Sequence, residues 1–217
     1  ASPSCRDAAV IRDTPGMQIT IIGAGAWGTA LAIAASRQSP THRVSLHARD
    51  AAQAEAMQRQ RCNARYLPGI AFPQPLAITS GPLDAMLQIA RPEDLFIIAT
   101  PMAGLRSTLQ ALQGASASVA WLCKGFEAGS GKLPHQVVRE VLGESLVCGA
   151  LSGPSFAEEV ASGQPTAVAL AANDPDFARE VSRQLHAGRF RVYANDVAEG
   201  LGGVEDAVGP RVSLHQA

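Results

Sequence analysis

An open, doubly wound α/β sheet with helices on both faces is what this sequence predicts, and three observations carry the prediction. Short apolar runs of strand length alternate with longer helix-like segments along almost the whole chain. Gly23, Gly25 and Gly28, spaced G-x-G-x-x-G within ITIIGAGAWGTALA, sit between the first such strand and the first such helix. A full core is affordable too, because 47% of the 217 residues are apolar, and a chain of this size buries roughly 70% of its unfolded surface.

Taken in order, residues 18–22 are a buried strand, 29–36 a helix rich in Ala, Leu and Ile, and 43–48 a second, alternating strand. Residues 51–61 are helical, with Ala, Met and Gln supplying propensity. NARYLPGIAFPQP is expected to be a loop, since Pro68, Pro73 and Pro75 forbid a regular helix. A short helix over 83–90 precedes the strand DLFIIAT, a helix over 105–112 precedes the strand SVAWLCK, and a helix over 133–142 precedes the strand LVCGALSG. In GPSFAEEVASG, Ser155 and Glu158 have the spacing of a capping box, and Gly163 suits the end of the helix. TAVALAA is a strand, 174–186 a helix and FRVYAND the last strand. Trp121, on the strand before Lys124, reads as core.

Composition excludes several functions. The net charge is −1 with both signs scattered, so there is no basic footprint for nucleic acid or an anionic membrane. No apolar run approaches the about 20 residues of a membrane span. Cys5, Cys62, Cys123 and Cys148 are widely spaced with no C-x-x-C pair, which reads as reduced thiols in a cytoplasmic protein without a metal site. The five histidines suggest surface or supporting roles rather than catalysis. Residues 1–16 lack a signal-peptide core and read as a flexible extension, with Met17 placed to serve as a start.

The glycine turn carries the chemistry. Its first glycine permits a tight turn, its second lets backbone approach a pyrophosphate, and its third lets helix and strand pack closely. The helix that follows aims unpaired N–H groups at an anion. At the end of the second strand an acid would bond ribose hydroxyls and an arginine would accept a 2′-phosphate; Arg49 followed by Asp50 offers both, with a lean toward NADP or dual use. Lys124 follows a strand, where its ammonium would stabilise phosphate or a developing alkoxide.

GAGAWGTALA, NARYLPG, CKGFE, LSGPSFAEEVASGQPTAV and FRVYAND together resemble the bacterial NAD(P)-dependent glycerol-3-phosphate dehydrogenases, from about Met17 to Gly203. The resemblance implies a Rossmann-type dinucleotide-binding domain over 17–197, followed by an all-helical domain of which 198–217 would be a remnant start. It implies interconversion of sn-glycerol 3-phosphate and dihydroxyacetone phosphate for glycerophospholipid synthesis, with NADP or NAD as cofactor. By matched position it assigns Ala26 and Trp27, beside Gly23, Gly25 and Gly28 of the turn, to the cofactor phosphates, Arg49 and Tyr66 to its adenosine end, and Ala157 to the cofactor. Lys124 is assigned to both cofactor and substrate, and Gly153 and Ser155 to substrate. A cytoplasmic protein is implied, and a homodimer is an assembly the resemblance allows.

The resemblance weakens after Gly203. There the family continues with a small residue, an apolar one, lysine and asparagine, that lysine being the proton donor and acceptor. Here Glu205 and Asp206 fall near those places, and no lysine follows Lys132. A carboxylate there would repel an alkoxide and a phosphate. The expectation is a chain shortened or altered in its last stretch, with apolar surface exposed where the helical domain packs, or a dinucleotide-binding fragment without turnover. Ketopantoate reductases and β-hydroxyacid dehydrogenases share the glycine turn but are disfavoured by CKGFE and GPSFAEE.

Overall fold

A computed structural model describes residues 16–38, 42–186 and 188–195. Glu205, Asp206, the remnant 198–217 and all but Gly16 of the proposed extension 1–16 lie outside the described residues. One eight-stranded sheet organises the molecule. Its strands are β1 (Gln18–Ile22), β2 (Arg43–Ala48), β5 (Ala77–Ser80), β6 (Leu95–Ile98), β7 (Ser118–Trp121), β8 (Cys148–Ser152), β9 (Thr166–Ala172) and β10 (Phe190–Asn195), in the spatial order β10-β9-β8-β7-β6-β1-β2-β5. A separate two-stranded hairpin pairs β3 (Cys62–Asn63) with β4 (Leu67–Ala71).

The central strands β1, β6, β7 and β8 read as nearly unbroken apolar runs because both faces of the sheet are covered there, whereas edge strand β10 alternates buried and exposed residues. Side chains alternate between two cores, as the period of two requires. Ile19, Ile21, Leu95, Ile97, Ala120 and Leu151 enter one, under α1 (Ala26–Gln38), α2 (Ala51–Gln60), α6 (Ala157–Ser162) and α7 (Pro175–Leu185). Ile22, Phe96, Ile98, Val119, Trp121 and Ala150 enter the other, under α4 (Met102–Ala111) and α5 (Pro134–Leu142). Trp121, 1% exposed, is core as expected. A single turn, α3 (Asp84–Leu87), lies before β6 and is shorter than the sequence suggests.

Three differences from the sequence reading have physical causes. The stretch NARYLPGIAFPQP is not simply a loop: proline forbids a helix there but tolerates the short hairpin, in which Pro68 is exposed. Arg61 ends α2 with a left-handed φ of 52° and donates to the carbonyls of Leu76 at 3.0 Å and Pro73 at 2.6 Å, which folds this stretch back against α2. The following strand β5 is too short and too polar to announce itself, yet it extends the sheet edge beside β2. Finally, α1 begins at Ala26, three residues before the apolar pattern becomes regular.

Six strands run parallel, while β9 pairs antiparallel with β8, and β10 runs parallel to β9. The chain therefore leaves β8 and re-enters β9 at the same edge of the sheet. Residues 153–165, including α6, remain at the edge that carries the carboxyl ends of β1, β2, β6 and β7. In open α/β sheets this is the edge where ligands bind.

Candidate functional site

The glycine turn is anchored between two strands. Gly23 N–H donates to the His47 carbonyl at 3.0 Å, and Ala99 N–H donates to the Ile22 carbonyl at 2.8 Å. Gly23 has φ 119°, and a Cβ there would stand 2.8 Å from the Ala99 carbonyl carbon and oxygen. At Gly28 a Cβ would stand 2.0 Å from the Gly23 carbonyl oxygen, so helix and strand could not meet as they do. Gly25 differs from both: a Cβ there would meet nothing within 4 Å. Among the described residues, the amides of Gly25, Ala26, Trp27 and Gly28 donate to no carbonyl. Four unpaired N–H groups at a helix start, beside open space, fit a pyrophosphate. Ala26 and Trp27 are half-buried in this first turn.

At the end of β2 the two charged residues separate in role. Asp50 caps α2, accepting from Ala52 N–H at 2.9 Å and Gln53 N–H at 3.4 Å. Arg49 is exposed and makes no ion pair among the described residues. Tyr66 is 39% exposed on the hairpin, with the Arg65 guanidinium 5.1 Å from its ring centre.

Lys124 lies just past β7, exposed at the carboxyl edge. Its neighbour Cys123 is buried and donates to the Thr100 carbonyl at 3.1 Å, with burial pushing its thiol up to about 11. Beyond Lys124 the loop is clamped by a two-pronged pair: Arg106 of α4 donates from Nε and Nη2 to the two carboxylate oxygens of Glu127, each at 2.8 Å. The Arg106 guanidinium, helped by the Ser130 hydroxyl, holds the Glu127 carboxyl down to about 2. Glu140 of α5 also accepts from Arg106, at 3.1 Å, and pairs with Lys132. Glu127 is the last residue of CKGFE, so the same motif supplies both the exposed lysine and the acid that holds its loop.

The segment after β8 corrects one expectation. Ser155 does not cap α6. The helix begins one residue later, with Phe156 as its cap residue donating its N–H to Glu159 at 3.3 Å, not to Glu158. Gly163 does end the helix, at φ 78°. Among the described residues Ser155 Oγ is left buried with no hydrogen-bond partner, an arrangement that ordinarily costs about 1–3 kcal/mol. Gly153 is required by packing, since a Cβ would stand 2.9 Å from the Ala167 carbonyl oxygen and from Val168 Cγ1. Ala157 is buried in the first turn of α6.

Two histidines are core residues rather than surface ones. His47 is 3% exposed with Nδ1 3.2 Å from Thr79 Oγ1, and His135 is 8% exposed on α5; burial lowers the pKa of both. Phe126 and Phe156, next to Lys124 and Ser155 in sequence, are 69% and 73% exposed. Among the described residues no cluster of His, Cys, Asp and Glu could hold a metal, and no helix is long and apolar enough to cross a membrane. A cavity of about 580 Å³ lined by Gln18, Arg37, Arg43 and Val44 lies at the opposite edge of the sheet, around the start of β1 and β2.

Comparison with known proteins gives the same orientation. Residues 18–178 match the family described as NAD-dependent glycerol-3-phosphate dehydrogenase N-terminus. A glycerol-3-phosphate dehydrogenase [NAD(P)+] of Dechloromonas aromatica is 55% identical over 187 residues, which is 85% of this chain and 55% of that relative. The crystal structure of the Coxiella burnetii glycerol-3-phosphate dehydrogenase is 36% identical with a TM-score of 0.74, over 83% of this chain and 54% of that one. A prephenate dehydrogenase from A. aeolicus, 13% identical with a TM-score of 0.55 over 82% of this chain and 59% of its own, shares the fold alone. The chain spans about half the length of the curated relatives it matches. With its glycine turn, parallel strands and matched residues 18–178, the chain belongs to the NAD-dependent glycerol-3-phosphate dehydrogenase family, of which it carries the N-terminal region.

Proposed function

We propose that this chain is the dinucleotide-binding part of an NAD(P)-dependent oxidoreductase that interconverts sn-glycerol 3-phosphate and dihydroxyacetone phosphate. The observation that carries the reading is the head of α1, where four amides lack acceptors among the described residues and Gly25 leaves open space. NADP or NAD fits that cradle, and when bound its nicotinamide gives hydride to, or takes it from, the substrate carbon. Ala26 and Trp27 with the three glycines would line the pyrophosphate, and Arg49 and Tyr66 the adenosine end. Because Asp50 is engaged as a helix cap while Arg49 is exposed, the geometry favours acceptance of a 2′-phosphate.

In this reading Lys124 places a cation at the carboxyl edge, where it attracts the substrate phosphate and stabilises negative charge on the carbonyl oxygen during reduction. The orphan hydroxyl of Ser155 is free to hydrogen-bond a polyol or phosphate beside Gly153, and Ala157 closes the cofactor side. Phe126 and Phe156 would be covered by the helical part that the family resemblance implies. The domain limits 17–197 and 198–217, a cytoplasmic location and a homodimer belong to the same proposal, the location supported by the free thiols of Cys62, Cys123 and Cys148.

A second reading, a binding fragment without turnover, rests on the sequence: with a one-residue gap, Glu205 falls near the place where the resemblance calls for the proton-transferring lysine. Titration with NADPH and NADH, followed by addition of dihydroxyacetone phosphate, separates the two. Binding with oxidation of the reduced cofactor supports the dehydrogenase, and binding without oxidation supports the fragment. Unchanged cofactor affinity in Gly25→Val would overturn both.

A further inference from the structure

The peptide between Ala24 and Gly25 is held by two side chains from outside the glycine turn. The Ala24 carbonyl accepts from Asn63 Nδ2 at 3.1 Å and from Gln53 Nε2 at 3.1 Å. Asn63 is 1% exposed, lies on β3 where the hairpin begins, and donates from the same nitrogen to Thr29 Oγ1 at 2.8 Å. Gln53 reaches back from the first turn of α2. Since a carbonyl oxygen only accepts, the amide nitrogen of each side chain must face it. A carboxylate of the same shape in place of Asn63 would repel it.

The Ala24 carbonyl lies four residues before Gly28, the position from which a continuing helix would pair with Gly28 N–H. It is engaged instead by the two amides, and Gly28 N–H makes no such bond. In a trans peptide the C=O and N–H point in opposite directions. Turning the Ala24 carbonyl toward Asn63 and Gln53 therefore turns Gly25 N–H away from them, and that N–H has no acceptor among the described residues. If this peptide turned over, a carbonyl dipole would replace an N–H donor where an anion is to approach.

We propose that Asn63 and Gln53 are positioning residues for the cofactor pyrophosphate: they fix the Ala24–Gly25 peptide so that Gly25 N–H is presented and the Ala24 oxygen is withheld. The inference rests on the reading of the glycine turn as a dinucleotide site. It gives NARYLPG a role beyond Tyr66, because the hairpin then supplies the strut that sets the turn's polarity.

The test uses the full chain and ADP-ribose, which carries the pyrophosphate without the nicotinamide. Affinity is measured by calorimetry, and the Gly25 amide is followed by its ¹H–¹⁵N resonance, for wild type, Asn63→Asp, Gln53→Ala and Gly25→Val. The expected result is a loss of about tenfold or more in affinity for Asn63→Asp or Gln53→Ala, together with loss of the ligand-induced shift at Gly25. Gln53 is half-buried on a helix surface, so its variant decides the matter if Asn63→Asp fails to fold. Affinities within threefold of wild type for the folded variants, or weaker binding with the Gly25 shift intact, overturn the proposal. Absence of ADP-ribose binding by wild type, or unchanged binding by Gly25→Val, overturns the underlying reading and the proposal with it.

Discussion

Adding one methyl group at Gly25 and at Gly28 should change stability in opposite directions. At Gly25 the added Cβ meets nothing within 4 Å and the backbone is outside the left-handed region. Glycine to alanine at such a site stabilises by about 0.4–1 kcal/mol, chiefly by restricting the unfolded chain, which is about 1–4 °C in melting temperature for a domain of this size. At Gly28 the same methyl lands 2.0 Å from the Gly23 carbonyl oxygen and 3.0 Å from Ala99 Cβ, and the first obstacle is backbone. Relief requires separating α1 from β1, so about 1–3 kcal/mol or more is lost, a fall of about 2–12 °C. Calorimetric melts without ligand measure both. NADPH titration should then show Gly25→Ala, the more stable protein, binding at least tenfold more weakly, which is about 1.4 kcal/mol. A Gly25→Ala protein that melts as low as Gly28→Ala, or that binds NADPH like wild type, would refute the division of labour between the two glycines.

Other outcomes follow from the same geometry. Arg49→Ala should weaken NADPH more than NADH in parallel titrations, whereas Asp50→Ala should cost about 1 kcal/mol of stability through loss of the α2 cap and leave the NADPH-to-NADH ratio nearly unchanged. The Arg106–Glu127 clamp depends on an ionised carboxylate whose pKa is lowered to about 2. Its stabilisation is full above the ordinary carboxylate range and is lost as pH falls toward 2. Protection of the Glu127 and Gly131 amides from hydrogen exchange should hold from pH 7 to 5 and decline below, while Arg106→Leu should lose it at pH 7. Cys123 and Cys148 are buried, with thiols pushed up to about 11. Among the described thiols, mass-resolved alkylation at pH 7.5 should therefore label half-buried Cys62 first.

Much of the sheet was legible because its central strands are buried on both faces and so appear as apolar runs, while FRVYAN of edge strand β10 shows the alternation of a strand buried on one face. Five-residue QITII and seven-residue TAVALAA need no other signal. β5 escaped detection because AITS alternates over too few residues, and only its pairing with β2 makes it a strand. The capping box was misplaced by one residue because Ser155 and Glu158 satisfy the sequence rule equally well. The chain prefers Phe156 and Glu159, which leaves the Ser155 hydroxyl without a partner. A local stability rule failed at a residue the family resemblance assigns to substrate, where such failures are expected. Asn63 was unreadable for a different reason, since its partners Ala24 and Thr29 stand 39 and 34 residues away.

The reversal of strand direction after β8 explains why so many candidate residues gather at one edge. Had β9 run parallel to β8, the connection 153–165 would have crossed a face of the sheet and carried Ser155 and Ala157 away from the carboxyl ends of the strands. Because β9 is antiparallel, with Ser152 opposite Ala169, the connection turns back where it begins. Packing then holds it there: a side chain at Gly153 would collide with the backbone of β9, and Ala157, Val160 and Ala161 bury against the core that also receives α1. The helix that presents its amides to an anion and the segment that carries the orphan hydroxyl are thus packed on each other. If these segments hold cofactor and substrate as proposed, both sets of contacts should respond together to disturbance of that packing. Val160→Ala, which opens a cavity beneath α6 and costs on the order of 2–3 kcal/mol, should weaken both NADPH and dihydroxyacetone phosphate binding. Loss of one affinity with the other intact would show the two segments to be independent.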